Sequence, residues 1–146
     1  MDLAVHRAAL ALLLGLVLAV TRLPAAETPP GDASHVGAVV QQQLDALAAG
    51  DAQRAFDLAA PGVRELFGTP ERFLAMVKAH YPMVVRPASV RLLPPEADGD
   101  AMVQRVELRD AAGAAWRVTY LLHRQKDGHW RISACIAAPD AHRLMT

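Results

Sequence analysis

The sequence holds a single cysteine, Cys135, so no internal disulfide can form and the fold must rest on its apolar core. It lacks the spacings that gather metal ligands: there is no His-x-His, no Cys-x-x-Cys and no His-Glu-x-x-His. No cofactor or metal is therefore expected. It also lacks Gly-x-Ser-x-Gly and any glycine-rich phosphate loop. Its 15 basic and 15 acidic residues balance, and no basic run is contiguous, which argues against a nucleic-acid partner. Arginine far outnumbers lysine, a bias that reads as genome base composition rather than phosphate recognition. There are no internal repeats and no low-complexity tracts. What is present is 146 residues that are 53% hydrophobic, enough for one domain with a modest core.

The apolar residues are unevenly placed. His6 and Arg7 precede an unbroken run from Ala8 to Val20, closed by Arg22 and Pro24. The run is shorter than the roughly 20 residues of a spanning helix and has the form of a secretory signal. Residues 1–26 are expected to be a signal peptide. The alternative is an N-terminal membrane anchor, because the sequence around Pro24-Ala25-Ala26 matches a small-x-small cleavage site poorly. No cysteine follows the run to accept a lipid. The expected location is exported, periplasmic or extracellular. Residues 27–33 read as a linker, 34–138 as one domain and 139–146 as a tail.

Val36, Val40, Leu44 and Leu47 recur at helical spacing, with Asp32 or Ser34 as cap and Gly50 as terminator. Asp51 caps a second helix with Ala52, Ala55, Phe56 and Ala59 on one face, and Pro61-Gly62 is expected to end it. Val63, Leu66 and Phe67 suggest a further helical turn. Gly68-Thr69-Pro70 then breaks, caps and starts another helix, whose stripe is Phe73, Leu74, Met76 and Val77 and whose stop is Pro82.

Beyond Pro82 the period changes to two. One strand covers Ser89–Leu93, and Pro94-Pro95 and Asp98-Gly99 read as a loop. Three closely spaced strands follow. Their shared face is Met102, Val106 and Leu108, then Trp116, Val118, Tyr120 and Leu122, then Trp130, Ile132, Ala134 and Ile136. All are even-numbered, so both turns must keep parity. The first does so if Arg109 faces Ala115, and the second if Gly128 is left-handed and Gln125 faces His129. These registers put Glu107 opposite Arg117. Cys135 reads as a small strand residue or, alternatively, a reactive thiol.

Several stretches resemble a family of small bacterial exported proteins, domain of unknown function 4864: Gln43-Leu44-Asp45-Ala46, Ala60-Pro61-Gly62-Val63-Arg64, Phe67-Gly68-Thr69-Pro70-Glu71-Arg72-Phe73, Tyr81-Pro82, Arg86-Pro87, Val103-Gln104-Arg105-Val106, Trp130-Arg131-Ile132 and Cys135. The resemblance runs from about Val36 to Ala137 and carries no reaction with it. Helices followed by a curved antiparallel sheet look like the cone of nuclear transport factor 2 and ketosteroid isomerase. The expected fold is α+β, with N-terminal helices packed on a curved antiparallel sheet of about four strands.

The odd-numbered sheet face carries Arg105, Glu107, Arg109, Arg117, Thr119, His123, Arg131 and Ser133. It reads as the solvated side of a one-sided sheet, with an anion or partner surface as the alternative. His123 and His129 flank the second hairpin and read as surface residues. On the apolar face, Gln104 and Tyr120 are polar-tipped. The expected register puts them in one row with Ala134, whose small side chain leaves room. Gln104, Tyr120 and Ala134, with Tyr81 at the rim, are the candidate lining of a ligand pocket, and ordinary core with paired polar groups is the other reading. No strand residue on that face is Asp or Glu, the inward base that an isomerase-like site would use. The leading expectation is a non-catalytic module of the cell envelope that binds a small apolar ligand or an envelope protein. The alternative is a cone-fold enzyme acting on a small apolar substrate.

Overall fold

The structure is a computed structural model and describes residues 30–140. The expected signal peptide and anchor, residues 1–26, lie outside the described residues.

Four helices come first: α1 (Pro30–Ala48), α2 (Ala52–Asp57), α3 (Pro61–Phe67) and α4 (Pro70–His80). Helix α1 begins inside the stretch expected to be a linker. Val36, Val40, Leu44 and Leu47 on it are all buried. Gly50, at φ 68°, turns the chain into α2, where the Asp51 side chain accepts the Arg54 N–H at 3.1 Å. The α2 helix is shorter than expected. Pro61 does not end it but occupies the first turn of α3. At the start of α4 the Thr69 hydroxyl accepts the Arg72 N–H at 3.2 Å, and Pro70 fills a position whose N–H would have had no helical partner. Phe73 on α4 meets Phe56 and Phe67, with ring centroids 5.8 Å apart in both pairs.

The strands are β1 (Ser89–Leu92), β2 (Glu96–Asp98), β3 (Ala101–Arg109), β4 (Ala115–Arg124) and β5 (Trp130–Pro139). They form one antiparallel sheet in the order β1-β3-β4-β5, with β2 also paired to β3. The fifth strand, β2, falls in what the sequence suggested was loop. It lies beyond β1 on the same edge of β3, and Pro94-Pro95 separates the two because proline has no N–H for the ladder. Both hairpins have the expected turns. Arg109 faces Ala115, the Gln125 N–H bonds the His129 carbonyl at 2.8 Å, and Gly128 has φ 85°.

Parity holds along β3 and β4 and breaks in β5. Leu122 pairs with Ile132, but Leu121 pairs with Ala134, so Ser133 is an extra residue. This bulge turns the rest of β5 over. Trp130 and Ile132 face the helices at 6% and 5% exposure, whereas Ile136 is 68% exposed. The Ser133 hydroxyl donates to the Leu121 carbonyl at 3.1 Å and lies 2.8 Å from His123 Nδ1, so polar groups at the bulge are satisfied. On its free side, the Ile132 N–H and carbonyl bond Leu58 and Ala60, in the link between α2 and α3. The expected tail is also partly structured. Pro139 belongs to β5, and Asp140 is buried with its N–H on the Ala115 carbonyl.

The odd-numbered face is largely self-neutralised. Glu107, nearly buried, accepts from Arg91 on one side and from Arg117 at 3.2 Å on the other. Arg105 pairs with Glu96 at 2.6 Å, and Arg117 lies 3.9 Å from Asp140. These pairs explain Arg91, Arg105 and Arg117 as cross-strand partners within the sheet, while Arg109 and Arg131 donate to the Gly113 and Trp130 carbonyls.

Candidate functional site

A cavity of about 250 Å³ lies between the helices and the sheet. Helix α1 supplies Gln43 and Leu47, α3 supplies Val63, Leu66 and Phe67, and α4 supplies Phe73, Met76 and Val77. The sheet contributes Tyr120 from β4 and residues 132–135 from β5. Leu66 is 77% exposed, so the cavity opens to solvent beside α3. None of the residues lining it is an acid, a lysine, an arginine or a histidine. The Gln43 Nε2 donates to the Ala55 carbonyl at 3.3 Å.

The structure brings three of the four expected residues to this cavity, in altered roles. Tyr81 sits at the end of α4, and its hydroxyl donates to the Cys135 carbonyl at 3.3 Å. Tyr120 is 1% exposed, and its hydroxyl is sealed from solvent with the weakly hydrogen-bonding Cys135 thiol as its polar neighbour. Ala134 borders the cavity, but it pairs with Leu121 and is exposed. The bulge puts Cys135 opposite Tyr120 in its place. Gln104 is in register with Tyr120, as expected, yet it does not line the cavity. It is 1% exposed, and its amide donates to the Leu93 carbonyl at 2.5 Å and the Arg105 carbonyl at 2.9 Å. Gln104 thus spans the break that Pro94-Pro95 makes between β1 and β2. Its burial is explained by the backbone it satisfies.

Cys135 is the residue that sequence reasoning did not place in the site. Only the bulge brings it there, and nothing in the run Ser133-Ala134-Cys135-Ile136-Ala137-Ala138 signals which parity faces inward. Burial pushes its thiol from the ordinary 9.0 up to about 12, and the neighbouring Tyr120 hydroxyl offsets this only in part. Burial first, then the same thiol, holds the Tyr120 phenol well above its ordinary value. Both groups keep their protons under ordinary conditions. The pair is therefore a neutral polar spot in an apolar cavity, and the thiol is not an activated nucleophile.

Two shallower grooves adjoin it. One, with Met76, His80, Tyr81, Trp116, Cys135 and Ile136 on its walls, shares Met76, Tyr81 and Cys135 with the cavity. The other carries Lys78, Arg86 and Asp110, but the Asp110 carboxylate is engaged by the Trp116 indole N–H at 2.9 Å. Among the described residues no group of three or more His, Cys, Asp or Glu is arranged to hold a metal ion.

Solved structures with the same architecture include a protein of unknown function like nuclear transport factor 2 from Silicibacter pomeroyi. It is 19% identical with a TM-score of 0.54, over 77% of this chain and 99% of that one. A Shewanella frigidimarina protein provisionally assigned as a ketosteroid isomerase is 14% identical with a TM-score of 0.51, over 71% and 94%. A Catenulispora acidiphila protein solved in complex with S-DNPA is 14% identical with a TM-score of 0.50, over 81% and 100%. No curated protein matches the chain. At these identities the likeness shows the fold, an α+β cone like that of nuclear transport factor 2. The profile of the domain of unknown function DUF4864 matches residues 30–144, and the chain belongs to that family.

Proposed function

We propose that this protein is a non-catalytic module that binds a small apolar ligand in the cavity between its helices and its sheet. The observation that carries the proposal is the lining: an open space of about 250 Å³ with apolar walls and no charged side chain. That is larger than the roughly 150 Å³ that holds a benzene and just below the about 300 Å³ at which drug-sized pockets begin. A general base or acid needs a titrating group within reach of the substrate. The titratable groups here are Tyr81, Tyr120 and Cys135. Burial holds the last two protonated, which supports binding over the alternative, a cone-fold enzyme on a small apolar substrate.

Export to the cell envelope is part of the proposal and rests on the Ala8–Val20 run after Arg7. Among the described residues no helix is long and apolar enough to cross a membrane. One purification tests both parts. The protein is isolated from the envelope fraction without denaturation, its N-terminus is sequenced, and its organic extract is analysed by mass spectrometry. The expected result is an N-terminus near Ala25–Glu27 and a neutral compound near one per chain. Full-length protein in the cytoplasm would overturn export, and full-length protein in the membrane would support the anchor. An extract with no such compound, together with no uptake of small aromatic probes, would overturn binding.

A further inference from the structure

The free border of β5 is closed at Ile132, whose N–H and carbonyl bond Leu58 and Ala60. Farther along, the Asp140 N–H on the Ala115 carbonyl sets the alternation of the β4–β5 ladder. In an antiparallel pair, residues that exchange bonds alternate with residues that turn their N–H and C=O away. Residues 134, 136 and 138 therefore bond β4, and Cys135, Ala137 and Pro139 turn their backbone groups to the border. The Tyr81 hydroxyl on the Cys135 carbonyl agrees with this. Among the described residues nothing bonds the Cys135 N–H, the Ala137 N–H and carbonyl, or the Pro139 carbonyl. The same stretch holds Ile136, 68% exposed on the sheet face away from the cavity, between exposed Ala134 and Ala138.

This pattern is its own complement. We propose that the protein forms a two-fold dimer in which residues 135–139 of β5 pair with the same residues of a second copy, joining two sheets into one. With the axis at Ala137, the strands run antiparallel and the two Ala137 residues exchange N–H and C=O. Each Cys135 faces Pro139 of the other copy and donates its N–H to that carbonyl. Nothing is left over. Proline has no N–H, and the carbonyl it would have served, that of Cys135, already accepts from Tyr81. Each partial positive charge on the border meets a partial negative one. A foreign strand, with an N–H and a C=O at every residue, would meet a taken acceptor and a missing donor. On the outer face Ile136 falls beside Ala138 of the second copy, and the two Ile136 side chains become diagonal neighbours that cover each other. Equal numbers of acidic and basic residues leave no net charge to hold the copies apart. The contact is isologous, so it closes at two chains. It is also short, which sets Kd between about 1 µM and 1 mM.

Sedimentation equilibrium of the purified protein across that concentration range tests the proposal, and the mass should rise from one chain toward two. Ala137→Pro should melt close to wild type, because the N–H it removes faces away from β4, where an edge strand tolerates proline. It should weaken the dimer at least about tenfold, since the bond from each Ala137 N–H is lost. Ile136→Lys, at an exposed site, puts like charges beside the axis and should also weaken it. The Ala137 amide of wild type should gain protection from hydrogen exchange as concentration rises. A single chain at every concentration would overturn the proposal. So would a dimer that both variants leave unchanged, since its contact lies elsewhere. An Ala137 amide as protected at the lowest concentration as at the highest would show that the chain's own end covers the border, and would overturn it too. If Ala137→Pro does not fold, Ile136→Lys and the Ala137 amide decide.

Discussion

Ile132 and Ile136 lie on one strand, four residues apart, with the same side chain. Uninterrupted alternation would bury both. The bulge at Ser133 buries Ile132 to 5% exposure and leaves Ile136 at 68%. Truncating each to alanine therefore isolates the bulge. Ile→Ala in a core costs about 2–5 kcal/mol, in part from contacts that surrounding atoms lose. Ile132 already borders an open cavity, so fewer such contacts exist to be lost. Its main chain keeps both bonds, to Leu58 and Ala60. The lower part of the range, about 2–3 kcal/mol, is expected for Ile132→Ala. At about 4 °C per kcal/mol, that lowers Tm by roughly 8–12 °C. Ile136→Ala, at an exposed site, should stay within about 0.5 kcal/mol. Urea unfolding followed by tryptophan fluorescence and by circular dichroism gives both values, provided that the transitions coincide and the slope is unchanged. If Ile136→Ala costs as much as Ile132→Ala, the strand has no bulge, and Cys135 does not face Tyr120.

Gln104→Leu should lower stability by about 1–2 kcal/mol, because the Leu93 carbonyl loses its side-chain donor and the Arg105 carbonyl keeps only the Leu93 N–H. It should leave probe affinity unchanged, which separates Gln104 from the cavity. Alkaline pH should destabilise the protein from about pH 9 upward. The unfolded Cys135 thiol titrates near 9.0 and the folded one near 12, so between these values the folded chain binds more protons and stability falls as pH rises. The fall in stability should flatten in Cys135→Ala when the unfolding free energy is measured from pH 8 to 10.5.

The helices were legible because each strong signal had a local cause. Thr69 and Pro70 cap and start α4 through atoms within three residues, and the buried stripe of α1 has the 3.6 period of a one-sided helix. The two tight turns were legible because Gly113 and Gly128 supply the positive φ that preserves register. The bulge was not, because residues 133–138 are small or weakly patterned on both parities, so a slip costs little in the pattern itself. What selects it is distant in sequence: Leu58 and Ala60 on the far side of Ile132, and the Leu121 carbonyl that takes the Ser133 hydroxyl. The missed strand β2 has the same origin, since it exists through pairing with Val103, Met102 and Ala101 and not through any apolar alternation of its own. The candidate site followed suit. Tyr120 and Tyr81 were found from their own placement, whereas Cys135 replaced Ala134 through a one-residue shift.

The outer border of β5 is where another polypeptide would add itself and begin an aggregate. The Ile132 N–H and carbonyl on that border are taken by the link between α2 and α3. The Cys135 carbonyl is taken by Tyr81 at the end of α4, and Pro139 has no N–H to offer. The segments that wall the cavity are thus also the cover that keeps foreign strands off the sheet. Any fluctuation that lifts α2 to α4 far enough to admit a bulky guest also uncovers a template for self-assembly. A filled cavity, by holding those helices down, would protect the protein from polymerising as well as from unfolding.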